Sequence, residues 1–335
     1  MINKIYEKVK KYIVENYKFL ITLILLIALV TVELPYVIYT PGGIVELNDR
    51  IEVEDGFDAK GTLNMSYVSL LKGKIPLLAL SFIIKDWDIE KSEDITLEDQ
   101  SIDELLELEK LYMKSSIDNA TLVAYKHANK NITITNEVRN IVHITKEAET
   151  DLKIYDKVLS IEGKEVKSIT ELKEIVNSKN EGDYVKILVD RNGKKIETTS
   201  KIYNTTDGLK VGVIFLTTYE YETEPKIEVK TKAKESGSSG GLMLSLAIYN
   251  ELIEEDITHG LKIVGTGTID ELGNVGEIDG VKYKILGAVK NKADVFLCPE
   301  ENYEEAIKVK KDYDLDLKIA SVKTFEEAVS YLENL

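Results

Sequence analysis

The sequence contains very little cysteine and histidine. Its 335 residues include one cysteine, Cys298, and three histidines, His127, His143 and His259. A lone cysteine excludes an intramolecular disulfide, and no Cys/His spacing typical of a zinc site is present. We therefore expect neither a metal site nor a cofactor, and little room for chemistry that depends on histidine.

The sequence also lacks a concentrated basic face. It carries 43 basic and 59 acidic residues, a formal net charge of −16, and its only basic cluster is at the N-terminus. Because phosphate binding needs clustered Lys and Arg, this balance argues against a nucleic-acid partner. The length is sufficient for two or three domains, each with a core of ordinary size.

An apolar run near the N-terminus predicts a membrane anchor. Phe19–Val32 is almost entirely apolar, and the run resumes after Glu33 as far as Tyr39. A spanning helix needs about 20 apolar residues, whereas a signal peptide has a core of about 7–15. We predict an uncleaved transmembrane helix over 19–39, because no small-x-small cleavage site follows the run and tyrosines near its end suit the membrane interface. A cleaved signal peptide and a buried core helix are the alternatives.

The flank of this run sets the expected orientation. Residues 1–18 contain five lysines against two glutamates, and positively charged flanks stay in the cytoplasm. We therefore expect a cytoplasmic N-terminus at 1–18 and a single-pass protein of the cell membrane. The rest of the chain would lie on the extracytoplasmic side.

Strand patterns follow the anchor. Thr40-Pro41-Gly42-Gly43 is typical of a turn that ends the membrane segment. The stretches Ile51–Val53 and Thr62–Val68 alternate as strands do. Residues 86–104 are acid-rich, so we expect them to be exposed.

Helical spacing comes next. Apolar residues recur at helical intervals from Ile102 to about His127, with an interruption near Ser115-Ser116. Two helices and one kinked helix fit this pattern equally well. We expect 40–130 to form a β-rich region with a helical hairpin.

Residues 131–203 predict a small β-domain. β-branched residues alternate in Ile132–Ile144, a helical segment follows at Ser168–Val176, and strands at Tyr184–Arg191 and Lys195–Ile202 are joined by Asn192-Gly193. This order, with an Ile-x-Gly turn before the helix, resembles a PDZ domain. The Gly-Leu-Gly-Phe-like loop that cradles a peptide carboxylate is absent. Capture of peptide ends by strand addition therefore stays open, and a purely structural β-domain is the alternative.

The glycine-rich stretch Glu235–Met243 is the first half of a predicted catalytic site. An apolar helix of about four turns follows its Ser-Gly-Ser-Ser-Gly-Gly run. A flexible linker has the same composition, and a helix-capping serine would account for one hydroxyl. The helix favours a catalytic role over these two alternatives, because free N–H groups at its N-terminus stabilise an acyl-transfer oxyanion. We expect Ser239 to be a nucleophile, supported by the Gly237 turn and by Gly240, which lets a substrate backbone come close.

A second glycine-rich stretch supplies a candidate base. If Gly280 opens a helix that runs to about Asn291, Lys284 falls inside an apolar stripe. That stripe comprises Val281, Ile285 and Ala288. Burial lowers the pKa of a lysine from about 10.4 towards neutrality, where the amine can accept a seryl proton. A lysine that snorkels to water along a surface groove is the alternative.

Two other basic residues are less suitable. Lys282 would point away from the stripe, about 200° round the helix from the base position. His259 lies beside Gly260 at the expected end of the preceding helix, where a C-terminal cap is the simpler interpretation.

Both glycine-rich stretches resemble the proteolytic domain of Lon. In that family the dyad serine lies in a Gly-Pro-Ser-Ala-Gly turn, and the dyad lysine is the second lysine of a Gly-Gly-Leu-Lys-Glu-Lys run. By position, the resemblance implies that Ser239 is the nucleophile, Lys284 the general base and Thr266 the threonine that hydrogen-bonds the lysine. It covers roughly residues 205–335, and the absence of a Walker motif implies independence from ATP.

Four positions depart from the Lon pattern without removing a dyad member. Ser238 replaces the usual proline, and Gly240 replaces the usual alanine. Ser236 stands where Lon carries an aspartate, and Asp279 replaces the first glycine of the Gly-Gly pair. These changes bear on efficiency and substrate range.

The order of the segments resembles the membrane-anchored PDZ–Lon-like proteases of Gram-positive bacteria, the YlbL and SepM type. Tyr112–Ser116, with Ala120 and Ala124, is similar to the helix that precedes the PDZ domain in that family. The resemblance implies an α/β and α+β multidomain fold whose C-terminal part, 204–335, is the Lon-type α/β domain. It leaves assembly into homo-oligomers open.

The expected function is that of an ATP-independent serine endopeptidase. It would use its Ser-Lys dyad to cleave peptides or proteins outside the membrane. The alternative is a catalytically silent extracytoplasmic protein that binds peptides or acts as a scaffold.

Overall fold

The computed structural model describes residues 2–96, 101–165, 169–206, 208–233 and 235–335. The helices in these ranges are α1 (Ile2–Thr31), α2 (Ile75–Ser81), α3 (Ser92–Ile95), α4 (Ile102–His127), α5 (Ile169–Asn177), α6 (Gly241–Leu252), α7 (Val281–Lys290), α8 (Tyr303–Asp312) and α9 (Phe325–Glu333), with a 3-10 turn at Glu300–Asn302. The strands are β1 (Glu33–Glu46), β2 (Ile51–Val53), β3 (Thr62–Lys74), β4 (Asp88–Lys91), β5 (Asn131–Ile144), β6 (Lys157–Ile161), β7 (Lys164–Glu165), β8 (Tyr184–Arg191), β9 (Lys194–Lys201), β10 (Tyr203–Thr205), β11 (Gly208–Lys210), β12 (Val213–Glu224), β13 (Ile227–Val229), β14 (Lys262–Gly265), β15 (Thr268–Ile269), β16 (Val275–Gly276), β17 (Val295–Pro299) and β18 (Lys318–Val322). Ser168, the predicted start of a helix, and residues 97–100 of the acid-rich stretch lie outside the described residues.

The N-terminal helix ends earlier than predicted. Within the described residues, Ile5–Thr31 of α1 is the helical stretch long and apolar enough to cross a membrane, and its large apolar side chains are exposed. The expected span of 19–39 needs correction at its C-terminal end, because residues from Glu33 onward form β1. Val37 and Ile38 are completely buried where β1 pairs with β3 and β4. These two apolar side chains therefore belong to the core of the sheet and not to a membrane span.

The predicted turn at Thr40-Pro41-Gly42-Gly43 is part of a strand. These residues lie within β1, whose pairing with β3 is irregular between Pro41 and Ile44. A Cβ atom at Gly42 would lie 2.1 Å from the carbonyl oxygen of Tyr67 on β3. Glycine therefore permits a close approach of two strands here. In the sequence the same Pro-Gly-Gly pattern is typical of a turn, which is why the strand was not predicted.

One six-stranded sheet is built from both halves of the chain. Its order is β18-β17-β14-β3-β1-β4, and β3 pairs in parallel with β14 so that Leu63 faces Ile263. Residues 40–130 and 204–335, which we expected to be separate regions, therefore share a sheet. Local patterns do not reveal this pairing because the partner strands lie far apart in the sequence.

Helices cover both faces of this sheet. Val295 and Leu297 of β17 belong to a core with residues of α4, α6 and α9, whereas Phe296 and Cys298 belong to a core with α7 and α8. β17 is buried along its whole length, as expected for a parallel strand covered on both sides. Burial raises the pKa of the Cys298 thiol to about 12, so this thiol stays protonated and acts as a packing group.

The predicted helical hairpin is a single helix. α4 runs unbroken from Ile102 to His127 and begins at a capping box, in which the side chains of Ser101 and Glu104 each accept a hydrogen bond from the other residue's backbone N–H. Ser115 and Ser116, where an interruption was expected, lie inside it and are buried. Their hydroxyls donate hydrogen bonds to main-chain carbonyls of neighbouring segments, and serine costs little inside a helix.

The predicted PDZ-like domain has a core of its own. Its strands follow the order β12-β5-β6-β8-β9, and the β8–β9 turn has Asn192 and Gly193 at positive φ, as the sequence pattern indicates. The core consists of Ile141, Leu152, Ile161, Leu172, Val176, Val185, Ile187, Val189, Ile202 and Val211. β5 and β12 pair from one end to the other, forming a ribbon through which the chain enters and leaves this domain.

We predict that Asp156 is essential to the stability of this domain. Its carboxylate is completely buried and accepts two hydrogen bonds from Arg191, Nε to Oδ1 and Nη2 to Oδ2, both 2.7 Å long. Asp156→Ala should lower the free energy of unfolding of the domain by about 3 kcal/mol, because it removes two charge-assisted hydrogen bonds to Arg191, each worth about 1.5 kcal/mol. Susceptibility of residues 145–202 to proteolysis in the full chain measures the loss. Glu181→Ala, at an exposed position, is the control and should change stability by less than about 0.5 kcal/mol; equal effects of the two substitutions would contradict the prediction.

Candidate active site

Ser239 lies in the turn immediately before α6. Gly240 is the N-cap residue and the helix begins at Gly241, as predicted. Almost every residue of α6 is buried, so its N-terminus is held by the core of the sheet domain. The Ser-Gly-rich run is therefore an ordered turn and not a linker.

The glycines after Ser239 allow the turn to pack closely. A Cβ atom at Gly240 would lie 2.7 Å from Sδ of Met65 on β3, and one at Gly241 would lie 2.7 Å from Oγ of Ser116 on α4. Both distances are shorter than side chains tolerate. The sequence predicted that Gly240 opens space for a substrate, whereas in the structure its immediate role is contact with the sheet.

Thr266 contacts the nucleophile turn directly. It follows β14, is completely buried, and donates a hydrogen bond from Oγ1 to the carbonyl oxygen of Ser239 at 3.0 Å. The N–H of Gly267 donates to the same oxygen at 2.8 Å. The resemblance implied a hydrogen bond between Thr266 and Lys284; here the hydroxyl of Thr266 binds Ser239 instead.

Lys284 is buried in the first turn of α7. The helix starts after Gly280, which adopts the left-handed conformation with φ of 72°, and its apolar stripe is buried as predicted. Lys284 is only 4% exposed and makes no hydrogen bond or ion pair with any residue in the described ranges, so it does not snorkel to water. Burial lowers its pKa to about 8, although the carboxylates of Asp279 and Glu109 oppose this shift. About a tenth of the amine is therefore neutral at pH 7.

Lys282 is engaged elsewhere. Its Nζ donates to Oδ2 of Asp88 on β4 at 2.6 Å, and the hydroxyl of Tyr283 donates to the same oxygen at 2.6 Å. The helix thus directs Lys282 and Lys284 to different surroundings, the first paired and the second desolvated.

His259 is remote from the turn. α6 ends at Leu252, so His259 is not its cap, contrary to our interpretation. It is exposed and lies in the turn before β14. Thr266, whose hydroxyl bonds to Ser239, follows the other end of that strand. The four residues of β14 span about 13 Å, which places His259 at the opposite edge of the sheet.

The expected role of Gly237 requires correction. Its N–H donates to the carbonyl oxygen of Glu109 at 2.9 Å, so this donor is not available to an oxyanion. The N–H groups of Ser239 and Gly240 bond to no described residue and lie at the N-terminus of α6. They are the better candidates for stabilising negative charge.

Two residues of α4 that we did not predict for the site also contact the nucleophile turn. Ser116 donates a hydrogen bond from Oγ to the carbonyl oxygen of Ser238 at 3.0 Å. The Glu109 carboxylate lies against Gly237, where a Cβ atom would be 3.1 Å from Oε2. The helix pattern at Tyr112–Ser116 was a signal that could have pointed to Ser116, whereas no sequence pattern pointed to Glu109.

These contacts bring the predicted residues to one edge of the sheet. Thr266 holds Ser239 at the carboxyl end of β14, and the segment before α7 is attached near the end of β17, where Asn302 accepts the N–H of Ile278 at 2.9 Å. Glu109 lies against the turn of Ser239 and interacts electrostatically with Lys284. The edge thus offers a serine hydroxyl at a helix N-terminus and a buried amine.

Comparison with known proteins defines two domains. Residues 226–333 match the model of the Lon protease (S16) C-terminal proteolytic domain, and residues 134–202 match that of a PDZ domain. The chain therefore carries a PDZ domain and a Lon-type proteolytic domain, as the sequence predicted. The PDZ domain lies between the two segments that build the sheet of the proteolytic part.

Two curated relatives, both Lon proteases, match part of this chain. The Lon protease of Campylobacter jejuni is 30% identical over 96 residues, which cover 28% of this chain and 12% of that protein. The Lon protease of Mesomycoplasma hyopneumoniae is 25% identical over 96 residues, covering 29% of this chain and 11% of that protein. The chain thus spans about an eighth of the length of either relative.

Solved structures similar to this chain include PDZ domains of SdrC-like proteins. One from Listeria monocytogenes is 22% identical with a TM-score of 0.23, and covers 25% of this chain and 93% of that one. Another, from Listeria innocua, is 24% identical with a TM-score of 0.22, and covers 24% of this chain and 93% of that one. These TM-scores are too low to support a conclusion about the whole fold.

We predict that Lys284 makes stability rise with pH between about 8 and 10.4. Its pKa is about 8 in the folded chain and about 10.4 in an unfolded one, so the unfolded state binds more protons in this window. The contribution is about 3 kcal/mol. Compared with the wild type, Lys284→Met should be most stabilised below pH 8, and this margin should shrink as the pH rises. Chemical denaturation at several pH values measures it, and a constant margin would contradict the burial of a titrating amine.

Proposed function

We propose that this chain is a membrane-anchored, ATP-independent serine endopeptidase with Ser239 as nucleophile and Lys284 as general base. The observation that carries the proposal is the buried, unpaired Lys284 in a domain of Lon type, at the sheet edge that also holds the Ser239 turn. Burial keeps the pKa of this lysine near 8, which suits a base working near neutral pH. The chain itself contains no Walker motif, which supports independence from ATP.

The reaction follows from these groups. Neutral Lys284 Nζ accepts the proton of Ser239 Oγ as Oγ attacks the carbonyl carbon of the scissile peptide bond. The N–H groups of Ser239 and Gly240 stabilise the resulting oxyanion. The protonated lysine then gives its proton to the leaving amine, and an acyl-enzyme forms. Water, deprotonated by the same lysine, hydrolyses the ester and regenerates Ser239.

The proposed anchor would hold this chemistry beside a membrane. α1 is apolar over a length that can span the bilayer, and its lysine-rich beginning favours a cytoplasmic N-terminus. The sheet domain starts two residues after α1, so the site would lie close to the extracytoplasmic surface. Peptides and membrane-proximal proteins are accordingly the proposed substrates. The PDZ domain would offer them a second binding surface near the site.

We predict that Ser239→Ala and Lys284→Ala each lower kcat/KM for peptide cleavage by at least about a thousandfold, because the two groups act as a unit. His259→Ala, on the opposite sheet edge, should leave it unchanged. A library of quenched fluorescent peptides provides the measurement. Activity that disappears in His259→Ala but persists in Lys284→Ala would overturn the dyad, and no cleavage of any peptide by the wild type would favour a binding or scaffold protein.

The pH profile gives a separate prediction. Because the neutral amine is the active form, kcat/KM should rise about tenfold per pH unit below the pKa of about 8 and level off above it. Initial rates between pH 6 and 9.5 measure the midpoint. A midpoint near 6.5 would instead indicate a histidine base.

The hydrogen bond from Ser116 on α4 to the nucleophile turn gives a third prediction. Ser116→Ala removes the hydrogen bond to the carbonyl of Ser238, so the turn should lose order and kcat should fall about tenfold, the equivalent of about 1.4 kcal/mol. Ser115→Ala is the matched control, because its hydroxyl donates to the Thr217 carbonyl on β12 at 2.8 Å and not to the turn. Equal losses of kcat in both variants would indicate a general effect on α4.

A further inference from the structure

A carboxylate from α4 lies at the candidate active site without a bonding partner. The main-chain carbonyl of Glu109 accepts the N–H of Gly237, and its side chain lies against the same glycine. Its carboxylate makes no hydrogen bond or ion pair with any residue that the structure describes. The main-chain bond holds this turn of α4, and with it Glu109, beside the nucleophile turn.

A second carboxylate lies close to the first. Asp279 precedes the N-cap of α7, is exposed, and also has no bonding partner in the described ranges. Burial and the charge of Asp279 raise the pKa of Glu109, and Lys284 acts in the opposite direction. The nearly completely buried Lys284, which bonds to no described residue, interacts electrostatically with both carboxylates.

Two tyrosines complete the surroundings. Tyr39 on β1 and Tyr112 on α4 are partly buried. Burial raises the pKa of both tyrosines. The charges of Glu90, Asp279 and Glu109 raise the pKa of Tyr39 further, and the charge of Glu109 does so for Tyr112. The ring of Tyr39 is stacked on that of Tyr283, with centroids 5.9 Å apart, so it has a defined orientation. Aromatic rings beside unpaired carboxylates form a favourable environment for an organic cation.

We infer that Glu109, together with Asp279, Tyr39 and Tyr112, forms a subsite for a lysine or arginine side chain of the substrate next to the scissile bond. The inference rests on the proposed function, because it assigns a specificity to that same site. A cationic side chain would supply the missing partner of Glu109 and offset the repulsion between the two carboxylates. Glu109 would act on substrate choice and not on the bond-breaking step.

The test compares peptides that differ in one charge. Quenched fluorescent peptides with Lys or Gln at each position from P3 to P3′ are cleaved by the full-length protein, and the ratio of kcat/KM for Lys over Gln is measured. In the wild type we expect a ratio of about ten at one position, the effect of one partly desolvated charge pair. Glu109→Gln should bring this ratio close to one. Because the ratio compares two substrates of one enzyme, any change in the basicity of Lys284 cancels.

Glu107→Gln is the matched control. Glu107 is an exposed residue on the same helix that pairs with Lys110 at 2.6 Å, so its loss changes the net charge equally without touching the site. This variant should keep the wild-type ratio. A wild-type ratio near one at every position, or an equal ratio in wild type and Glu109→Gln, would overturn the inference.

A binding measurement separates this inference from the proposed function. Ser239→Ala protein should bind a fluorescent Lys peptide about tenfold more tightly than the Gln peptide in anisotropy titrations, and the double variant with Glu109→Gln should lose that preference. Preference in binding without any turnover by the wild type would leave the subsite standing and refute the protease. Turnover by the wild type without any preference in either assay would do the reverse.

Discussion

The withdrawal of one ammonium group from water is the interaction on which the proposed chemistry depends. Lys284 is buried in the apolar stripe of α7, and no described residue bonds to its Nζ. A charged lysine there is unfavourable, which brings its pKa to about 8. The packing of the surrounding core, in which Val281, Ile285 and Ala288 are completely buried, offsets the cost of burying this lysine. Burial in the sheet domain thus increases the fraction of neutral amine near neutral pH, the form that can accept the proton of a serine nucleophile.

The remainder of the fold brings distant segments to this lysine. β3 from the N-terminal half pairs with β14 from the C-terminal half, so that Thr266 emerges beside the nucleophile turn. α4 adds Ser116 and Glu109 to the same turn, and its neighbouring Ser115 bonds to β12, which leads out of the PDZ domain. One helix therefore contacts both the candidate active site and the strand that carries the PDZ domain, which lies between the two segments of the proteolytic sheet.

Much of the site could be predicted from the sequence, because its signals are local. The serine at a helix start and the lysine inside a helical apolar stripe are both read from spacing within one element, and α6 and α7 occur where expected. What could not be predicted depends on partners far away in the sequence. Val37 and Ile38 look like the end of a membrane helix until β3 and β4 are placed beside them. Gly237 loses its expected role only because the Glu109 carbonyl, on another element, accepts its N–H.

The most direct test of this account is whether Lys284 activates Ser239. Full-length protein treated with a fluorophosphonate probe and analysed by peptide mass spectrometry should carry the adduct on Ser239, at a rate that rises with pH up to about 8, the pKa of Lys284. Lys284→Met should remain folded and unlabelled. Absence of the adduct from Ser239 in the wild type, or equal labelling of Ser239 when Lys284 is replaced by methionine, would contradict the central claim.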